Sequence, residues 1–196
     1  MYFLLFHRFS PDFFCQPDIC HKSEDRSMKQ GRIIECPGCL LRLPDMHLNP
    51  DDRFNASGEC RQLYYEITYY TLAKNDPSFI HQHVVDAYAA QHSGERTRTI
   101  TTVFALVGLY LATEKGYTGK QVQQVHMKIA RVRKDWPRLE PPAHPAKLTV
   151  MDVLLADTDE KKDGMIRTWS ESVWESWEHQ HAWIRETTNR MLYGSR

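Results

Sequence analysis

Residues 36–39 read Cys36-Pro37-Gly38-Cys39, and this turn constrains the chain more than any other stretch. Two thiols two residues apart, with a proline and a glycine between them, aim at one point, which is the geometry of a knuckle that wraps zinc. The rival is a redox pair. Redox C-x-x-C motifs open a helix after a strand, where the helix N-terminus lowers the thiol pKa. Here Cys39 is followed by LLRLPDMHLNP, which holds two prolines and no helix start. A zinc knuckle is the expectation. One such turn is half a site, so the fold has to bring two further ligands from elsewhere.

The stretch from Asn55 to His92, NASGECRQLYYEITYYTLAKNDPSFIHQHVVDAYAAQH, offers them. Cys60, Leu63, Ile67 and Tyr70 recur at helical spacing, with Ser57 placed to cap the helix, so Cys60 points inward from its first turn. Asp76-Pro77-Ser78 then breaks and restarts the chain, and His81, Val85, Tyr88 and His92 form a second stripe. A short connection makes the two helices antiparallel neighbours, which returns His92 to the side of Cys60. His81 and His92 are roughly 16 Å apart along their helix and cannot share one metal. The expected ligand set is therefore Cys36, Cys39, Cys60 and His92 around one zinc, with His47 in reserve. Cys60 as a small core residue and His92 as a helix C-terminal cap are the ordinary alternatives. Convergence beside a waiting C-x-x-C favours the ligand roles.

A chain of 196 residues suffices for one domain with a proper core. Acidic and basic residues balance at 25 each, so no global field draws it toward nucleic acid or an anionic membrane, and neither partner is expected. The longest apolar run, Val103 to Ala112, is about half of what a bilayer crossing needs. Five cysteines, with no convincing secretory signal behind MYFLLF, point to a reducing, cytoplasmic setting.

Residues 1–31 mix aromatic clusters with Pro11, Pro17 and a polar run, without periodicity, and are expected to be a disordered extension. Cys15, Cys20 and His21 lie at metal-binding spacing there, but loose terminal thiols are the reading adopted. Residues 32–196 are expected to form a single α-helical domain with the knuckle at its start. Its expected fold class is all-α, a helical bundle of about five to six helices with an N-terminal zinc-knuckle-like loop. Thr97 to Lys115 is apolar over most of its circumference and reads as a central helix stopped by Gly116. Thr118 and Gln121 make a capping box for the next helix. Lys128, Arg131, Arg133 and Lys134 lie on its solvent side. WPRLEPPAHPAK is an extended connection. Thr149 caps a short helix with Asp152 at the box position, and Asp157–Glu160 starts the last and longest one. Trp169, Val173, Trp177, His181 and Ile184 form its core stripe, so His181 is expected to be a buried imidazole in need of a partner.

CPGC near the start, ASGEC opening a helix, the HxxxxDAYxxQH stretch, LEPP followed by LTVxDVL, and SVWESW with His181 occur in order. Together they resemble an uncharacterised bacterial family known only as a domain of unknown function, over about Glu35 to Arg185. Family members often show CPGCG, where this chain has Leu40. The resemblance implies that Cys36, Cys39, Cys60, His81, Asp86, His92 and His181 match recurring positions, and it implies no activity. Two functions remain open. The first is a helical module stapled by a structural zinc, acting through an unknown protein partner or small ligand. The second is a metal-dependent helical-bundle enzyme, a hydrolase or thiol transferase by analogy with the DinB-like group, with a second site at His81, Asp86 (or Asp152) and His181.

Overall fold

The structure, a computed structural model, describes residues 32–132 and 135–194. Cys15, Cys20, His21 and the expected extension, like Arg133 and Lys134, lie outside the described residues. The knuckle is a tight turn, as expected. It tips a short antiparallel hairpin, β1 (Ile33–Glu35) and β2 (Arg42–Pro44), in which Ile34 pairs with Leu43 and Glu35 with Arg42. Strand pairing was missed because three-residue strands carry too little alternation to stand out, and Pro44 falls at the strand end where a missing N–H does no harm.

Seven helices follow among the described residues, one more than the upper expectation. Helix α1 (Gly58–Ala73) starts at Ser57, whose side chain accepts from the Cys60 amide at 3.1 Å. Asp76 stitches the restart, its carboxylate accepting from the amides of Ser78 and Ile80 at 3.0 and 2.9 Å. Helix α2 (His81–Gln91) packs against α1 and against three helices further on, α3 (Thr99–Lys115), α4 (Gly119–Val132) and α6 (Asp159–Ser176). It is buried on nearly every side, including Gln82, His83, Asp86 and Gln91. The expected stripe was too narrow, because Ala87, Ala89 and Ala90 let neighbours approach on faces that periodicity would leave to solvent. His81 and Val85, placed in that stripe, are only half-buried.

Helix α3 ends at Gly116 in the left-handed region, φ +66°, which glycine adopts at no cost. The Thr118–Gln121 box opens α4, and the Thr149–Asp152 box opens the one-turn α5 (Val150–Leu154). The single long final helix does not form. Helix α6 stops at Trp177, a 3₁₀ turn runs Glu178–Gln180, and α7 (His181–Tyr193) begins anew. No proline or glycine marks that break. It is held by His181, whose Nε2–H donates to the Trp174 carbonyl at 2.9 Å, and by His179, bonded to the Glu140 carbonyl at 3.0 Å. His181 is accordingly half-buried and stacked flat on Trp174, whereas Trp169, Val173, Trp177 and Ile184 of the same stripe are buried as expected. No helix among the described residues is long and apolar enough to cross a membrane.

Candidate metal centre

The hairpin turn folds back on itself through Cys36 N–H donating to the Leu41 carbonyl and Leu40 N–H donating to the Cys36 carbonyl, each at 2.9 Å. The turn needs a positive φ after the second thiol, and Leu40 supplies it at φ +59°. Helix α1 then presents Cys60 from its first turn, and α2 presents His92 from its last. The Cys60 and His92 side chains meet with Sγ and Nε2 3.3 Å apart, and Cys39 Sγ lies 3.8 Å from Cys60 Sγ. One ligand atom from each of Cys36, Cys39, Cys60 and His92 falls within 4.8 Å of all the others. Thiolates bound tetrahedrally about 2.3 Å from one ion sit roughly 3.8 Å apart, so the spacing suits a metal ion. All four residues are at most 5 % exposed.

The imidazole is oriented for the role. His92 Nδ1–H donates to the Tyr88 carbonyl one turn back, at 2.9 Å, which turns Nε2 toward the sulfurs. Metal-binding histidines are held in this manner, by a bond from the other ring nitrogen to a carbonyl. Tyr88 also packs its ring against His92, with centroids 4.2 Å apart, and stacks on Tyr64 at 4.0 Å. The loop ahead of α1 is laced to the same corner. Asn55 N–H donates to the His92 carbonyl at 2.8 Å, and Thr97 Oγ1 donates to the Arg53 carbonyl at 3.0 Å. Glu59, beside Cys60, accepts from the amides of Met46 and Leu48 at 3.1 and 3.2 Å, anchoring the segment that follows the knuckle. Sequence reasoning missed Tyr88, Asn55 and Glu59 as supports, since only main-chain geometry shows what they hold.

Charge in the cluster is unevenly shared. Bonds from the Cys39 and Cys60 thiols hold Cys36 far below its ordinary pKa, against the opposing effect of burial. Cys60, donating to Cys36 and Cys39 and buried as well, is pushed far up. Burial pulls the His92 pKa down, and the bonds to Cys36 and Cys39 outweigh it to leave a value of about 9. A dry pocket that gathers negative charge on sulfur and holds protons against it is one in which a divalent cation can replace those protons.

The other candidates do not join one another in a ligating group among the described residues. His81 Nδ1 bonds to Thr71 Oγ1 at 2.8 Å. Asp86 Oδ1 accepts from Gln82 at 2.9 Å, and its Oδ2, pressed against Gly108, has no partner among the described residues. His181 is engaged with Trp174 and Arg185, and Asp152 with its capping box. His47 is exposed and bonded to Asp45.

The Cys3His cluster and the side chains around it run from the knuckle at Cys36 to the end of α2, and the helices that bury α2 continue to Trp177. No curated protein and no solved structure matches the chain. The span from the knuckle hairpin to the break after α6 coincides with the model of the Family of unknown function (DUF5946), which matches residues 34–178, and the chain belongs to that family.

Proposed function

We propose that Cys36, Cys39, Cys60 and His92 hold one zinc ion whose role is structural, and that the domain so stapled acts through a protein partner or a small ligand. The observation that supports it is the tethering of His92 through Nδ1, which aims Nε2 into three thiols shielded from solvent. Three thiolates and an imidazole are a donor set that zinc prefers. Four protein ligands leave no coordination position for water or substrate, so the ion supplies folding free energy and not chemistry. It ties the β-hairpin to the N-terminus of α1 and the C-terminus of α2. Loading such a site needs reduced thiols, which fits a reducing compartment.

The test is zinc content per chain measured beside thermal melting. One equivalent of zinc, a melting temperature lowered by chelator, and loss of the metal in Cys36→Ser, Cys60→Ser and His92→Ala are the expected results. Cys15→Ser and Cys20→Ser should keep it. A zinc-free wild type whose melting is indifferent to chelator refutes the reading, and full occupancy in Cys60→Ser removes that residue from the set.

A further inference from the structure

A second site lies away from the metal corner and shares no residue with it. Between the start of α2, the end of α3 and the middle of α6 there is a cavity of about 280 Å³. Its volume sits just below the range of drug-sized ligand pockets. His83 lines it, 8 % exposed, with Nδ1 buried and unpartnered among the described residues. A buried polar atom without a partner is costly unless something completes it. Burial, aided by the nearby Arg167, lowers the His83 pKa to about 4, so the ring is neutral and offers one donor and one acceptor.

The other polar groups of the lining say what the ligand must carry. Arg167 and Glu171 are one turn apart on α6, and both line the cavity. Arg167 precedes Glu171, the less favourable order for pairing along a helix, and neither has an ion-pair partner among the described residues. Four of the five hydroxyls on the walls are already spent as donors, Thr118 to Gln121 among them, and the Tyr117 hydroxyl pairs with Tyr193. Ser78 donates to Asp76, Thr113 to the Leu109 carbonyl and Ser170 to the Ile166 carbonyl. What they have left to offer are lone pairs, which accept. The cavity thus presents one cationic fork, suited to a carboxylate, and an acceptor-rich remainder with one carboxylate, suited to an ammonium.

We propose that this cavity binds a small zwitterion, a free amino acid or a molecule of that size and charge pattern, with its carboxylate on Arg167, its ammonium on Glu171 and the hydroxyl lone pairs, and a polar atom completing His83. The proposal does not depend on the zinc.

The experiment uses the full chain and the common free L-amino acids, each at about 10 mM, a level that detects millimolar affinity. Melting temperature and backbone amide shifts at Thr113, Gly116 and Ser170 are read for each. Leucine is compared with isoamylamine and 4-methylpentanoate, which keep the ammonium or the carboxylate alone, and other responders with their own amine and acid. The expected result is that one or more amino acids raise the melting temperature and move those amides while the singly charged relatives do not. Arg167→Gln and Glu171→Gln, both at exposed positions that should leave folding and zinc content intact, should each weaken binding about tenfold or more. No response to any amino acid overturns the proposal. So does equal binding of a singly charged relative, or unchanged affinity in both variants.

Discussion

Gly38 lies so close to the His92 ring that a β-carbon placed on it would come within 2.7 Å of His92 Cδ2, and it would also collide with the Asn55 carbonyl oxygen. The second residue between the thiols is a glycine because the knuckle turn rests directly on His92 and on the loop bonded to it. The obstacles are a ring held at both ends and a main-chain carbonyl, neither free to give way. Gly38→Ala should therefore separate the hairpin from α2, costing about 1–3 kcal/mol as overpacking usually does. Zinc affinity should fall with stability. A variant that melts and binds zinc like the wild type shows that the turn does not seat on His92 as described.

Leu40 makes the opposite prediction. At φ +59° a side chain with a β-carbon is strained, at a cost of about 1–2 kcal/mol that glycine avoids. Leu40 is also 48 % exposed, so only part of a leucine's burial is lost on removing it. Glycine adds freedom to the unfolded chain worth about 0.4–1 kcal/mol. Leu40→Gly should come out stabilising by less than ~1 kcal/mol, read from denaturant melts of the zinc-loaded protein. A clear loss of stability means that the leucine packs usefully or that the turn relaxes elsewhere.

His181 holds the junction between α6 and α7 through its bond to the Trp174 carbonyl and its stacking on the Trp174 ring. His181→Phe keeps the stacking and drops the bond, which should cost about 1 kcal/mol and leave zinc content unchanged. Loss of bound metal in that variant would favour the enzyme reading that links His181 to a second site.

Asp86 gives a pH dependence. Burial raises its pKa well above the ordinary carboxylate value, with the bond from Gln82 opposing only in part. Between the unfolded and the folded pKa, the folded state keeps a proton that the unfolded state has released, so this residue lowers stability as pH rises. Asp86→Asn keeps the shape and the Gln82 bond without the titration. The melting temperature of the variant relative to wild type should climb as pH increases from about 5 to 8, a range above the unfolded carboxyl pKa. Comparing the two proteins at each pH cancels the effect of acid on zinc binding. A difference that stays constant across the range shows that Asp86 does not carry this term.

The sequence by itself determined most of the helix ends and the meeting of the four candidate ligands. Ser57, Gly116, the Thr118–Gln121 box and the Thr149–Asp152 box act within a few residues of themselves, so their caps are local facts that composition reveals. The meeting of Cys60 with His92 was legible too, because a short connection between two helices of known length leaves few arrangements. The tertiary structure alone decided what depends on packing among distant segments. The stop at Trp177 has no local breaker and is held by His181, bonded back to the Trp174 carbonyl, and by His179, bonded to the distant Glu140 carbonyl. The all-round burial of α2 follows from the helices that surround it, and with it came the buried His83 and Asp86, whose partners or want of partners no periodicity records. The cavity beside His83 is likewise a property of three helices held apart at one end, and only their relative placement puts Arg167 and Glu171 on its wall.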